Sequence, residues 1–302
     1  MRVLIAGWPS FVHGEATAGD VLSMEAVEGA LTRAGVACET AWSPVFRPGH
    51  LRLDDAPAEH YTHVVFVCGP VHGEQLRALH RRYARCRRIA VDVSVTDPDD
   101  AAAAGFDVLL PRDRAGAEPR RDLSALPDPR PVPVVGVILA PEQPEYGRRR
   151  RHGEVTARLT AWLKRQDCVR VPVDTRLDRR DWRRCGTEDQ LASLIRRLDS
   201  VVTTRLHGLV LGLSNGVAAL AVDPVAGGAK VSAQARAWSW PAIVTADALP
   251  EDESEHERRL RGWFDWCLSP AGRSAAWRRS ASADPGRDPL LGDLLRCLLG
   301  RG

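Results

Sequence analysis

The sequence has very few lysines, tyrosines and methionines, and its basic residues are almost all arginine. Its 302 residues include three tyrosines, two methionines and, as lysines, only Lys164 and Lys230. The 42 basic residues are nearly balanced by 39 acidic ones, which gives a formal net charge of +3. Nucleic-acid-binding domains usually carry a clustered excess of positive charge. The balance therefore predicts that nucleic acid is not a partner.

Several signals of membrane, disulfide-bonded or metal-binding proteins are also missing. No apolar run approaches the roughly 18 residues that a membrane-spanning helix requires. The opening segment MRVLIAG is shorter than a signal peptide and lacks a cleavage site. The seven cysteines are odd in number and contain no Cys-x-x-Cys pair, which argues against a disulfide framework or a zinc site. We expect a cytoplasmic protein with free thiols, no transmembrane segment and no metal.

Length and composition favour two globular domains. Hydrophobic residues make up 44% and charged residues 27% of the chain, as in ordinary globular proteins. The length exceeds what one core usually serves. Residues 112–133, which are rich in Pro, Arg and Asp, interrupt the pattern. We predict an N-terminal domain over 1–130 and a C-terminal domain over 131–302, with a helical tail from about residue 287.

Short apolar runs alternate with segments of helical spacing in both halves, which predicts α/β domains with parallel sheets covered by helices. The predicted strands cover residues 3–7, 36–42, 63–68, 89–95, 106–110, 134–140, 168–173, 200–203 and 217–222. The predicted helices cover residues 19–34, 73–87, 153–166, 187–198, 206–213, 250–268 and 290–299, with a linker over 269–288. Ligands of doubly wound sheets bind beyond the carboxyl ends of the strands. Residues that directly follow strands are therefore the candidates for function.

The most informative candidates follow the predicted strand 200–203. Arg205 and His207 come at the start of the next apolar helix, where free backbone N–H groups and the helix dipole attract anions. An arginine fork suits phosphate or carboxylate, and a histidine transfers protons near neutral pH. Gly208 would leave room for a ligand to approach. The alternative is that Arg205 forms a surface ion pair and His207 caps the helix.

This segment resembles the C-terminal signature of the polysaccharide pyruvyl transferase family. The resemblance covers residues 201–208 (VVTTRLHG), 211–218 (LGLSNGVA) and 220–223 (LAVD), and then Lys230. Weaker matches are residues 19–22 (GDVL), which resemble the turn that opens the family's first helix, and residues 65–70 (VFVCGP), which resemble its apolar strand ending in Gly-Pro.

The resemblance implies a GT-B-like fold, in which two Rossmann-like doubly wound domains face a cleft. The implied activity is transfer of the enolpyruvyl unit of phosphoenolpyruvate onto two hydroxyls of a sugar, with formation of a ketal and release of phosphate. It implies no metal or organic cofactor. The partners are then a small-molecule donor and a carbohydrate acceptor, with the acceptor in the N-terminal domain and the donor in the C-terminal one.

The chemistry of phosphoenolpyruvate suggests a role for each candidate. Its phosphate and carboxylate need fixed cations, and we predict that Arg205 and Lys230 supply them. His207 is the predicted acid or base. Asp20, at the start of a helix, would orient or deprotonate an acceptor hydroxyl, unless it is an ordinary helix cap. Three further residues complete the predicted substrate site: Thr204, Gly208 and Gly19.

Two other functions remain open from the sequence. A glycosyltransferase that uses a nucleotide sugar would need a carboxylate for the ribose hydroxyls, for which Asp223 is the candidate. A non-catalytic family member would bind an anionic metabolite without turnover. Three weaker signals are the His13-Gly14 and His72-Gly73 pairs after predicted strands, the basic run 148–152, and the Trp238–Trp240 segment.

Overall fold

The computed structural model of the chain describes residues 1–125, 130–248, 253–282 and 288–299. Contacts between Cα atoms divide the chain into two compact units, Met1–Pro129 and Arg130–Gly302. We call them unit 1 and unit 2. No helix in the described ranges is long and apolar enough to cross a membrane.

Unit 1 is a five-stranded parallel sheet with helices. Its strands are β1 (Arg2–Gly7), β2 (Ala37–Thr40), β3 (His63–Val67), β4 (Arg87–Val95) and β5 (Val108–Arg114). Its helices are α1 (Ala18–Arg33), α2 (Glu74–Arg82) and α3 (Ala101–Ala104). The strands lie in the order β2-β1-β3-β4-β5, which places the topological switch point between β1 and β3.

Unit 2 repeats this plan with more helices. Its strands are β6 (Val134–Ile138), β7 (Val169–Pro172), β8 (Ser200–Thr203), β9 (Ala219–Asp223) and β10 (Ile243–Thr245). Its helices are α4 (His152–Leu163), α5 (Glu188–Ile195), α6 (Leu206–Ser214), α7 (Lys230–Ala237), α8 (Glu253–Leu268), α9 (Pro270–Ser282) and α10 (Pro289–Leu299). The order β10-β9-β8-β6-β7 is that of unit 1, and its switch point lies between β6 and β8. The two parallel sheets confirm the predicted α/β class with two Rossmann-like sheets.

The apolar runs form these strands because both faces of each sheet are covered. All four residues of β8 and all five of β9 are buried, as expected for central parallel strands. Helix α6 packs against β8 and β9 with Leu209 and Leu213, which are fully buried. Helix α5 begins after an N-cap that the sequence Thr-Glu-Asp-Gln predicts: the Gln190 N–H donates to Thr187 Oγ1 over 3.2 Å.

One sequence prediction in unit 2 is wrong, and one helix of the unit has no counterpart among the predicted elements. Residues 270–282, predicted as linker, form α9, whose small buried side chains Ala275 and Ala276 pack tightly without an apolar stripe. The helix α7 was not predicted. The Trp238–Trp240 segment directly follows α7, and the Trp240 indole is buried and donates to the Ala219 carbonyl, as expected for a core residue. The predicted start of α8 at residue 250 lies outside the described residues.

Candidate functional site

The carboxyl ends of β6 and β8 form the switch point of unit 2, and Thr204 joins them. The Thr204 N–H donates to the Ile138 carbonyl, and the Thr204 Oγ1 accepts from the Ala140 N–H over 2.8 Å. The side chain of Thr204 is only 2% exposed. This burial favours a role in fixing the site rather than the predicted contact with substrate.

Arg205 is the N-cap residue of α6 and reaches outward from this edge. Its side chain is 22% exposed, and its Nη1 lies 3.4 Å from Asp174 Oδ1. Asp174, which follows β7, also binds Arg176 at 2.6 Å and lies 3.9 Å from Arg184. Hydrogen bonds from Arg176 are the main cause that holds the pKa of Asp174 below its usual value. Arg184 lies closer to a second carboxylate, Asp181, at 3.5 Å. Asp174 is thus shared between Arg205 and Arg176, and its single charge does not neutralise both guanidiniums.

His207 and Gly208 occupy the first turn of α6 but face different surroundings. His207 is exposed, so its imidazole is accessible to a ligand. Gly208 is buried, and a Cβ there would lie 2.1 Å from Thr203 Oγ1 and 3.0 Å from Ile138 Cγ2. The prediction that Gly208 makes room for a ligand is therefore wrong: the missing side chain allows α6 to approach the sheet.

Lys230 is the first residue of α7, and the buried carboxylate of Asp223 holds the loop before it. Asp223 is 0% exposed. Its Oδ2 accepts from the Ala229 N–H at 2.7 Å, the Ser232 N–H at 2.9 Å and the Ser232 hydroxyl at 2.7 Å. Its Oδ1 accepts from the Val225 N–H at 3.1 Å. Because this carboxylate is buried and fully engaged, it is not available for ribose hydroxyls, and that candidate role is wrong.

The loop between β6 and α4 spans the carboxyl end of β8. It starts beside Thr204, and its far end binds the loop that follows β9, on the other side of β8. There the Arg151 N–H donates to the Pro224 carbonyl over 2.9 Å, and the Ala226 N–H donates to the Arg149 carbonyl over 2.8 Å. The backbone of the basic run 148–151 is therefore anchored beside the carboxyl end of β8, while its arginine side chains are exposed. We call residues 141–151 the strap.

Two aromatic residues lie in this region: Tyr146, which the sequence analysis does not single out, and His152, which it names only as part of the basic run 148–152. The Lys230 Nζ lies 5.7 Å and the Arg149 guanidinium 6.0 Å from the centroid of the Tyr146 ring, within the range of cation–π attraction. The His152 ring stacks on Tyr146 with centroids 6.4 Å apart. Burial lowers the pKa of His152, and its Nε2 lies 3.1 Å from Gln143 Oε1. The only signal in the sequence was the rarity of tyrosine and lysine.

In unit 1, Asp20 closes a capping box at the start of α1. Its Oδ2 accepts from the Thr17 hydroxyl at 2.6 Å and from the Thr17 N–H at 3.3 Å, while the Asp20 N–H donates to Thr17 Oγ1. The side chain is 8% exposed. Gly19 borders the same cavity as Asp20, and a Cβ at Gly19 would meet only Thr17 Oγ1, at 3.7 Å. The capping role of Asp20 is thus present, and its catalytic role stays a prediction.

A cluster near Asp20 has the composition of a metal site but contains its own cation. Ligand atoms of Cys68, Asp92 and Asp122 lie within 4.8 Å of one another. The Arg112 guanidinium donates to Asp122 and lies 3.8 Å from Cys68 Sγ. Burial raises the pKa of Asp92, and burial together with Asp20 raises that of Cys68 to about 11. Since metals bind the deprotonated groups, both shifts oppose ligation.

The segment of unit 2 that contains Arg205 and His207 also matches a known protein family. The polysaccharide pyruvyl transferase family model matches residues 164–224. This match confirms the resemblance for that segment and supports assignment to a transferase family. It includes Arg205, His207 and Asp223 and ends before Lys230, so the role of Lys230 stays a prediction. No curated protein matches the chain.

Solved structures similar to the chain are glycosyltransferases of low sequence identity. Spinosyn rhamnosyltransferase SpnG complexed with thymidine diphosphate is 11% identical over 93% of this chain and 95% of its own, with a TM-score of 0.32. The calicheamicin glycosyltransferase CalG4 is 14% identical over 99% and 98%, with a TM-score of 0.33. Spinosyn forosaminyltransferase SpnP is 15% identical over 98% and 99%, with a TM-score of 0.34.

Proposed function

We propose that the protein is a pyruvyl transferase, which moves the enolpyruvyl unit of phosphoenolpyruvate onto a sugar or glycoconjugate as a pyruvate ketal. One observation carries the proposal. Arg205, within the segment that matches the family, is the N-cap residue of α6, whose first turn lies at the switch point of unit 2. Helix N–H groups and a partly exposed guanidinium together suit a ligand with two anionic groups.

Binding of the donor uses the cations of this sheet edge. Arg205 takes one anionic group of phosphoenolpyruvate and displaces Asp174, whose 3.4 Å contact is long for an ion pair with hydrogen bonds. Lys230 takes the other group and is held by the Tyr146 ring. The buried Asp223 fixes the turn that presents Lys230.

The reaction then needs balanced proton transfers. Protonation of the methylene carbon makes C2 of the donor electron-deficient, and one acceptor hydroxyl attacks it. The second hydroxyl attacks C2 as the C2–O bond breaks, and that oxygen leaves with the phosphate. Of the two hydroxyl protons released, one replaces the proton given to the methylene carbon and the other leaves with phosphate. His207, exposed at the first turn of α6, transfers these protons, and Asp20 orients the acceptor hydroxyl.

Thermal unfolding with added ligands tests the donor. Phosphoenolpyruvate at about a hundred times its Kd should stabilise the wild type by about 2.7 kcal/mol. Arg205→Ala should weaken binding about 10- to 100-fold, because a charge-assisted contact contributes about 1.5–3 kcal/mol. Arg196→Ala, which removes an exposed arginine of the same unit, should leave binding unchanged.

Turnover is tested separately with His207→Gln. This variant should bind phosphoenolpyruvate like the wild type and release phosphate about 10²- to 10⁴-fold more slowly with an acceptor, as for loss of a general acid–base. Stabilisation by UDP- or GDP-sugars and not by phosphoenolpyruvate would overturn the proposal in favour of a glycosyltransferase. Donor binding that is unchanged in Arg205→Ala would contradict the assigned site.

A further inference from the structure

The switch point of unit 1 also contains a cavity. It has a volume of about 450 Å³ and lies where β1 and β3 end. Open α/β sheets bind ligands at this position, independently of any property of unit 2. The residues that give the cavity its chemistry are Trp8, Glu15, Asp20, His72, Arg112 and Asp122.

The backbone at the end of β3 adopts an unusual conformation that shapes this cavity. Cys68 and Gly69 have consecutive positive φ angles of 65° and 72°, and the first is strained because Cys68 has a side chain. A Cβ at Gly69 would lie 2.3 Å from the Trp8 ring. The sharp turn therefore lets the indole lie directly against the strand end, where it forms a wall of the cavity.

The charge around the cavity is negative. The lining contains three carboxylates, from Glu15, Asp20 and Asp122, against the single guanidinium of Arg112. That guanidinium is already paired, since it donates to Asp122 and, over 3.1 Å, to Asp113. A phosphate or carboxylate ligand would meet uncompensated like charge here, whereas hydroxyl and ammonium groups would find acceptors.

The aromatic side of the cavity complements these acceptors. The Trp8 and His72 rings lie 5.9 Å apart, and the Trp8 Nε1–H has no acceptor among the residues that the structure describes. An apolar wall with a few polar groups is typical of small-molecule sites. An indole beside carboxylates suits the C–H face and the hydroxyl edge of a sugar ring.

We propose that this cavity binds a polyhydroxylated ligand that is uncharged or carries an amine, and that it selects against acidic sugars. Its identification as the acceptor rests on the proposed function, but the binding itself does not. Within the same chain, the switch point of unit 2 is cationic and that of unit 1 is anionic, so donor and acceptor are distinguished by charge.

Binding of simple glycosides to the full-length protein tests this inference. Methyl glucoside, methyl glucosaminide and methyl glucuronide are compared by saturation-transfer NMR and calorimetry at low ionic strength, without donor. The glucosaminide should bind about tenfold more tightly than the glucuronide, from the Coulomb energy of one or two nearby carboxylates. Glu15→Gln should reduce this preference several-fold, whereas Glu59→Gln, which neutralises an exposed carboxylate outside the cavity, should not change it.

A second variant checks that the effect of Glu15→Gln comes from the lost charge and not from a change in structure. Asp20→Asn should also reduce the preference for the amine, provided that its circular dichroism spectrum matches the wild type. Equal or tighter binding of the glucuronide, an unchanged preference in both variants, or no binding of any glycoside would each overturn the inference. Because no phosphoenolpyruvate is present, failure here is distinct from failure of the proposed donor.

Discussion

Arg205 and Asp223 are charged residues on the same sheet edge, but their surroundings give them opposite tasks. Arg205 keeps 22% of its side chain exposed and has one long contact, to Asp174. Asp223 is 0% exposed and accepts hydrogen bonds from three residues of the loop that follows it and the first turn of α7. A charge that is exposed and weakly paired can exchange its partner for a ligand, whereas a saturated buried carboxylate is costly to disturb. These surroundings support the proposed role of Arg205 in ligand binding and give Asp223 a supporting role in its loop.

The thiols of Cys68 and Cys297 should react very differently with alkylating agents. Burial and the neighbouring Asp20 raise the pKa of Cys68 to about 11, whereas Cys297 is exposed. Only the thiolate is nucleophilic, so iodoacetamide at pH 8 should label Cys297 and leave Cys68 unmodified. Peptide mass spectrometry measures both sites, and Cys297→Ser identifies the fast-reacting peptide. Rapid labelling of Cys68 in the folded protein would contradict its assigned environment.

The same pKa shift has a consequence for stability. The folded state holds the Cys68 proton up to a pH of about 11, above the ordinary thiol value of 9.0. Between these values the folded state binds more protons than the unfolded state, so the contribution of Cys68 to stability falls as pH rises through that window. Below the ordinary thiol pKa both states hold the proton, so the titration of Cys68 does not change stability at neutral pH.

At the scale of elements, α6 positions the site because a glycine lets it approach the sheet. Gly208 faces Thr203 and Ile138 with no space for a methyl group. By contrast, Gly262 in α8 has no atom within 4 Å of the position of a Cβ. Both glycines lie in helices, so replacing each with alanine changes helix propensity in the same way. The difference between the two variants then measures the effect of packing.

Gly208→Ala should destabilise the protein by about 1–3 kcal/mol, as expected for overpacking. Gly262→Ala should instead stabilise it by about 0.5–1 kcal/mol, because alanine is the better helix former. Urea unfolding followed by circular dichroism gives both values. Gly208→Ala should also weaken phosphoenolpyruvate binding, since α6 carries Arg205 and His207. A neutral or stabilising effect of Gly208→Ala would show that α6 is not in close contact with β8.

The strap is a second element with a positioning role, because it brings the Tyr146 ring to Lys230. Backbone hydrogen bonds anchor it to the loop after β9, so its place does not depend on the long arginine side chains that it carries. Of those side chains, Arg150 pairs with Glu142 over 3.0 Å, and the Arg151 guanidinium donates to the carbonyls of Arg148 and Arg150. The strap thus brings the Arg149 guanidinium to the same Tyr146 ring as Lys230.

At the scale of the whole molecule, the two units share one strand order but present opposite charge at their switch points. Hydrogen exchange should resolve the two sites. Phosphoenolpyruvate should protect amides near residues 204–208 and 225–232, whereas a neutral or amino glycoside should protect amides near residues 8–20 and 68–72. Mass spectrometry of peptic fragments measures both patterns, and Arg205→Ala should lose only the first. Protection of the same segments by both ligands would contradict separate sites.

Local patterns in the sequence determined the α/β class and the place of the first candidate residue. Apolar runs, the Thr187 cap and the Gly-Pro turn after β3 depend on neighbouring residues, so they can be read without a structure. Arg205 and His207 were found for the same reason, because a strand end and a helix start are adjacent in the chain. Element bounds differ from the predictions mainly at the ends, where tertiary contacts decide the last turn.

Tertiary structure alone decided which polar residues face a ligand and which support the fold. Asp223 has its role because the chain turns back to place Ala229 and Ser232 over its carboxylate. Tyr146 meets Lys230 because β8 lies between β6 and β9, and the strap must cross it. The helix α9 has no apolar stripe, so only its packing against α6 and α8 reveals it. Burial and pairing of distant segments determine these outcomes, and neither is contained in local sequence patterns.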